Sequence, residues 1–262
     1  MPQNLHICFF CCNFARLFLI NYSSRYIRKF NNMKKFVVFL FTSVLVVNGY
    51  AKKPATIFLV GDETSAVLTQ AEDVTETSAV GWGQVIQEYL PEGTVFENLA
   101  VDGATTKSFM DEGQWSELLG RAKRKNILLI NFGHHEYDEE DYRHYSSFES
   151  FENNLMQMVK EAQKSGLTVV LLTPTAKCFY KDGEFHPRHG AYAEGVRRVA
   201  MRHKLPLIDL DNLTMAWIQR LGEEEAKKYF AADDIVRLNE EGAKVVAKMV
   251  ADEAKANKVK GF

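Results

Sequence analysis

Five short apolar segments alternate with longer stretches of helical spacing, and this alternation constrains the chain more than any other feature of its sequence. The segments are ATIFLV (55–60), TVFENLA (94–100), NILLINF (126–132), LTVVLLT (167–173) and LPLIDL (205–210). Several are continuous apolar runs rather than alternating ones, as strands covered on both faces tend to be. Helical spacing fills GWGQVIQEYL, SFESFENNLMQMVKEAQKSG, GAYAEGVRRVAMRHK and NLTMAWIQRLGEEEAKKYF, and a last helix follows in NEEGAKVVAKMVADEAKAN. Gly166 stands where a glycine closes a helix, just before the fourth strand. The pattern predicts one α/β domain, a five-stranded parallel sheet between two helical layers. Repeats, low-complexity tracts and internal linkers are absent from the sequence.

The first 51 residues do not belong to that pattern. They hold six Lys or Arg (Arg16, Arg25, Arg28, Lys29, Lys34, Lys35) and no Asp or Glu. Within them, MKKFVVFLFTSVLVVNGYA (33–51) sets two lysines before an apolar run from Phe36 to Val47, with Gly49 and Ala51 as small residues at its end. That is the layout of a secretory signal peptide. A membrane anchor is the alternative, but the run falls short of the roughly 20 apolar residues a spanning helix needs. Residues 1–32 read as upstream read-in outside the fold, residues 33–51 as the signal, and residues 52–262 as the domain. The expectation is a secreted or periplasmic protein with no membrane span in its mature form.

Once residues 1–51 are removed, 26 Lys and Arg stand against 34 Asp and Glu, a net charge of −8. An acidic domain of this kind is a poor partner for nucleic acid or anionic membrane. Cys8, Cys11 and Cys12 leave with the leader, so Cys178 is alone and reads as a small packing residue rather than a reactive thiol.

In open parallel sheets ligands sit beyond the carboxyl ends of the strands. The segments to inspect are therefore GDETSA, VDGATTKSF, GHHEYDEEDYRHY, PTAKCFYKDGEFHPRHG and AADDIVRLNEEGA. Together they resemble the SGNH (or GDSL) hydrolases, within them the rhamnogalacturonan acetylesterase-like branch. Gly61-Asp62 stand where that family has Gly-Asp-Ser-Thr, with Thr64 on its threonine. GWGQ (81–84) matches its Gly-Trp-Gly motif, and NLAVDGATTKSFMDEGQW (98–115) resembles its Asn-x-Ala-x-x-Gly block. INFGHHE (130–136) resembles Phe-Gly-His-Asn-Asp, while LLTP (171–174), LIDL (207–210) and LNEEGAKVVA (238–247) fit as well. Seven motifs in the family's order, spanning Thr56 to about Ala254, imply a flavodoxin-like SGNH-hydrolase fold. They also imply Asp62, Thr64, Trp82 and His134 as substrate-side residues, plant or bacterial polysaccharide as the partner, and no cofactor.

The same resemblance places the family's catalytic positions on different chemistry. Its nucleophilic serine falls on Glu63 and its oxyanion asparagine on His135. Its oxyanion glycine is kept as Gly103 and its triad aspartate as Asp234, but its histidine falls on Arg237. Serine-type acyl transfer needs a hydroxyl, a base to activate it and a group to orient that base. Glu63 has no hydroxyl, and the guanidinium of Arg237 has no acceptor and does not release its proton at ordinary pH. The resulting expectation is a Glu63–Arg237 ion pair filling the pocket of an inactive esterase that binds glycan or a partner.

Three other readings stand beside it. A neighbouring hydroxyl, Thr64 or Ser65, would need an activating base at 237. In a second reading Glu63 drives water onto an ester, with Gly103 N–H and His135 holding the oxyanion, but a carboxylate facing a cation is a weak base. His134 and His135 before the acidic run Glu136, Asp138, Glu139, Glu140, Asp141 suggest a metal; adjacent histidines seldom converge on one ion, and the run reads more simply as solvated surface. Aromatic residues crowd two cleft loops: Tyr137, Tyr142 and Tyr145 with His144, and Phe179, Tyr180 and Phe185 with His186 and His189. They suit a carbohydrate surface or simple loop packing equally.

Overall fold

The computed structural model describes residues 56–68, 78–187 and 190–262. The segments assigned to read-in and signal, and His189, lie outside the described residues. A parallel sheet forms the centre of the domain, from β1 (Thr56–Gly61), β2 (Val95–Asn98), β3 (Ile127–Asn131), β4 (Thr168–Leu172) and a last strand, Leu207–Ile208. Their spatial order puts β2 at one edge, then β1, β3, β4 and the last strand. All five expected strands are present, each one to two residues shorter at an end or, for the last, trimmed to two residues. Between β4 and the last strand, β5 (Tyr180–Lys181) and β6 (Glu184–Phe185) make a small antiparallel hairpin, so the last strand is β7.

Period-two alternation assigns each strand residue to a layer. Ile57 and Leu59 of β1, Ile127 and Leu129 of β3, and Val170 and Leu172 of β4 face one hydrophobic core. Their neighbours Phe58, Val60, Leu128, Ile130, Val169 and Leu171 face the other. The first core is covered by α1 (Trp82–Val85, continued as a 3₁₀ turn to Tyr89), then α6 (Leu210–Leu221) and α8 (Glu240–Ala256), joined by the short α7 (Glu223–Ala226). The second is covered by α2 (Thr106–Asp111), α3 (Gln114–Arg121), α4 (Phe148–Lys164) and α5 (Gly190–His203). The result is the expected three-layer sandwich. α2 and α3 were not anticipated as helices: α2 begins inside a segment read as loop, and α3 follows in a stretch given no assignment; Thr105 starts α2 by accepting the Ser108 N–H at 3.1 Å.

Local chemistry explains the boundaries of the longer helices. Ser147 caps α4 by accepting the Ser150 N–H at 3.2 Å, and Asn239 caps α8 by accepting the Gly242 N–H at 3.0 Å. Gly166, at φ 83°, follows α4 as expected. Cys178 is buried, and burial pushes its thiol up to about 11, as suits a packing residue.

The Gly-Trp-Gly motif has a steric cause. Trp82 is fully buried, and its Nε1 donates to Asn131 Oδ1 at 3.1 Å, while Asn131 Nδ2 donates to the Thr173 carbonyl at 3.0 Å. This seats α1 directly on the turn after β1, where the Trp82 N–H donates to the Thr64 carbonyl at 2.9 Å. The approach leaves no room for side chains at the flanking positions: a Cβ on Gly81 would meet Ala66 O at 2.0 Å, and one on Gly83 would meet Ser65 O at 2.4 Å. Gly83→Ala is expected to cost about 1–3 kcal/mol, the range for forced overpacking against backbone. Thermal unfolding measured against wild type checks this, and an unchanged Tm would show that the turn after β1 is free to retreat.

Candidate active site

In a parallel sheet of order β2-β1-β3-β4-β7 the crevice opens where strand order reverses, between β1 and β3. β1 and β3 are in register through Gly61 and Asn131, so the residues that follow each strand emerge side by side. Asp62 sits at the centre. Its carboxylate is wholly buried and accepts the Thr64 N–H at 3.2 Å, the Thr64 hydroxyl at 2.8 Å and, across the crevice, the His134 N–H at 3.3 Å. Burial and the neighbouring Glu63 push its carboxyl well above the ordinary carboxylate range, opposed by the Thr64 bonds.

Tying Asp62 to His134 brings the next residue of each loop together. Glu63, with a side chain only 4% exposed, places Oε2 at 2.9 Å from His135 Nε2. Neither atom has a hydrogen-bond partner of good geometry, so the contact is a close charge pairing rather than an aligned hydrogen bond. The carboxylate raises the His135 imidazole above its ordinary value, against the effects of its own burial and of Arg237. That direction favours the protonated imidazole beside the carboxylate.

The expected Glu63–Arg237 ion pair does not form. Arg237 Nη2 lies 3.1 Å from Asp102 Oδ1, and its Nη1 lies 3.6 Å from Asp234 Oδ2. Asp234 also accepts the Val236 and Arg237 backbone N–H groups, at 2.7 and 3.0 Å, which keeps its carboxylate beside the guanidinium. Both partners of Arg237 are more exposed than Glu63, so pairing there strips less water from the cation. Asp102, which carries no role in the sequence reading, thus clamps the loop of Gly103 to the loop of Asp234. Gly103 itself adopts φ 72°, a conformation its missing side chain allows.

Neither flanking hydroxyl is poised for nucleophilic attack. Thr64 and Ser65 are buried, Thr64 Oγ1 donating to Asp62 Oδ1 and Ser65 Oγ to the Asp62 carbonyl at 3.1 Å. Trp82 is also corrected: expected as a substrate-side residue, its ring is sealed in the core. Asp62 and Thr64 are likewise closed off, so their role is to shape the turn, while His134 lines the crevice with its Nε2 at 3.3 Å from Thr175 Oγ1. Among the described residues no group of three His, Cys, Asp or Glu side chains could hold a metal ion.

Glu63, His134, His135, Tyr137, Lys177, Asp234, Val236 and Arg237 line a cavity of about 120 Å³. Lys177 is an addition to the sequence reading; it reaches the crevice from the loop after β4, its Nζ 4.7 Å from the centre of the Tyr137 ring. Glu136 is the second addition. Read from sequence as the start of a solvated acidic run, it is fully buried and accepts the Thr106 N–H at 3.1 Å. Its place at the end of the INFGHHE block, one residue past His135, was the available signal.

Burial pushes the Glu136 carboxyl up to about 7, opposed by its backbone hydrogen bonds. Its folded-state value lies above the unfolded one, so its stabilising protonation is complete below about pH 4.5 and is lost as pH rises through about 7. Glu136→Gln, which mimics the neutral acid, is expected to match wild type near pH 4.5 and to gain about 1–3 kcal/mol by pH 8. Denaturant unfolding across that range checks it; equal stabilities at pH 8 would show that Glu136 ionises without penalty.

Comparison with known proteins agrees with this geometry. The GDSL-like lipase/acylhydrolase family profile matches residues 59–245. Rhamnogalacturonan acetylesterase RhgT of Bacillus subtilis is 30% identical over 215 residues, covering 77% of this chain and 90% of that protein. A probable rhamnogalacturonan acetylesterase of the same organism, YesY, is 28% identical over 200 residues, 74% and 90% of the two chains. Among solved structures, YxiM of Bacillus subtilis superposes with a TM-score of 0.70 at 24% identity, covering 80% of this chain and 58% of that longer one. The acetylxylan esterase Axe2 of Geobacillus stearothermophilus superposes at 0.58 with 14% identity, covering 77% and 96%. With its family motifs in order around the β1–β3 crevice, the chain belongs to the GDSL-like lipase/acylhydrolase family, in the rhamnogalacturonan acetylesterase-like branch of the SGNH hydrolases.

Proposed function

We propose that this protein is an exported, carbohydrate-binding member of its family in which the serine route to ester hydrolysis is closed. One observation carries the reading. At the turn after β1 the side chain facing the crevice is a carboxylate held at 2.9 Å by His135, and the nearby cation, Arg237, is held by Asp102 and Asp234. A site so arranged has no free hydroxyl to activate and no neutral base at position 237 to activate one. The named activities of the relatives, on rhamnogalacturonan and acetylxylan, support an acetylated polysaccharide as the ligand class. Export rests on the layout of residues 33–51.

A second reading is favoured by the same 2.9 Å contact. Glu63 and His135 form the carboxylate–imidazole half of a triad, with Nδ1 as the nitrogen left to accept a proton from water. It replaces the earlier assignment of roles, because His135 Nε2 is committed to Glu63 and is not aimed at an oxyanion. Since Glu63 raises the imidazole, this route would be slow at neutral pH and would accelerate as pH rises.

Purified residues 52–262 are expected to leave p-nitrophenyl acetate and acetylated rhamnogalacturonan at the buffer rate from pH 6 to 9. The combined variant Glu63→Ser, His135→Asn, Arg237→His is expected to gain on the order of 100-fold or more over wild type, because triad members act as a unit. Turnover by wild type that climbs with pH and disappears in Glu63→Gln would establish the second reading. Substantial rescue by Glu63→Ser alone would contradict the role given to Arg237.

A further inference from the structure

The cavity at Glu63 and His135, about 120 Å³, is smaller than the roughly 300–1,000 Å³ of typical small-molecule sites. It has room for a substituent, such as an acyl group, and not for the sugar that carries one. A second cavity of about 380 Å³ lies beside it, and Tyr137 and Lys177 line both. We propose that this second groove seats a pyranose ring of an acylated polysaccharide, with the ring's substituent directed into the smaller cavity. The inference rests on the carbohydrate-binding reading above and extends it to a subsite.

The walls of the groove suit that occupant. Tyr137 is 57% and Phe148 52% exposed, so two large aromatic rings open onto one concavity rather than being scattered over the surface. Each is held in place. The Phe148 ring lies 4.6 Å from that of Tyr192, whose hydroxyl donates to the Ser146 carbonyl at 2.9 Å, and the Lys177 ammonium stands over the Tyr137 ring. Gly190, which also lines the groove, opens α5, and among the described residues a Cβ built on it meets nothing within 4 Å. A pyranose presents an apolar C–H face and a rim of hydroxyls; braced aromatic faces match the first, and a cationic donor at Lys177 matches the second. Preorganised walls of this kind lower the ordering cost of binding.

Two variants test the groove without disturbing the core: Phe148→Ala removes a half-exposed ring, and Gly190→Phe fills open space. Tyr142, exposed but outside the groove, supplies the control Tyr142→Ala. Titration calorimetry with acetylated rhamnogalacturonan and acetylated xylo-oligosaccharides is expected to show about fivefold or greater loss of affinity in each of the two variants and none in the control. Wild-type binding that survives unchanged in both variants would overturn the subsite alone. A wild type that binds none of these oligosaccharides would overturn it together with the carbohydrate-binding reading.

Discussion

The buried carboxylate of Asp62 holds the crevice together. It accepts two bonds from Thr64, within its own loop, and a third from the backbone of His134, on the loop after the neighbouring strand. The first two fix the turn that leaves β1; the third fixes the distance between that turn and the next. Everything in the crevice follows from this spacing, because Glu63 and His135 are the next residues along the two tethered loops. Their contact at 2.9 Å is a consequence of backbone placement before it is an attraction between charges. The close seating of α1 supports the same turn from behind, through the Trp82 N–H on the Thr64 carbonyl.

Electrostatic balance in so crowded a place has to be local. Asp62, Glu63 and Glu136 bring three carboxyl groups under the crevice floor, and burial raises the carboxyls of Asp62 and Glu136. A glutamate beside Asp62 would add charge to an already unfavourable cluster unless a cation stood within contact. His135 supplies it, and its position on the adjacent loop makes it a better partner than Arg237. The arginine would have to leave two rim carboxylates and enter a nearly dry pocket. Glu63 and His135 therefore read as a matched pair, and the arginine as part of a separate clamp with Asp102.

These two pairings mark the limit of what the sequence disclosed. The strands, the layers and the end of the sheet that carries the site were legible because buried parallel strands write themselves as apolar runs, and because a helix-closing glycine such as Gly166 is a single-residue signal. The motifs also named Glu63, His135, Asp234 and Arg237 as crevice residues. Which carboxylate meets which cation was not legible. Arg237 could reach Asp234 three residues away, Asp102 on a distant loop or Glu63 on another, and only the relative exposure of the three decides. Glu136 was hidden for the opposite reason: its neighbours Asp138 to Asp141 form an acidic run, and composition cannot show that the first carboxylate of such a run turns inward. The short helices α2 and α3 lack the length over which helical periodicity becomes visible.

Ester hydrolysis by this fold depends on three or four side chains, whereas the crevice depends on the backbone of several loops and on glycines that tolerate no side chain. The two sets of constraints are nearly independent. With a carboxylate at Glu63 and a guanidinium at Arg237, the turn and the crevice are still held by Asp62, Trp82 and the glycines of the α1 motif. What persists is a shaped opening at the switch point of the sheet, with aromatic rings at its rim and a small polar chamber at its base.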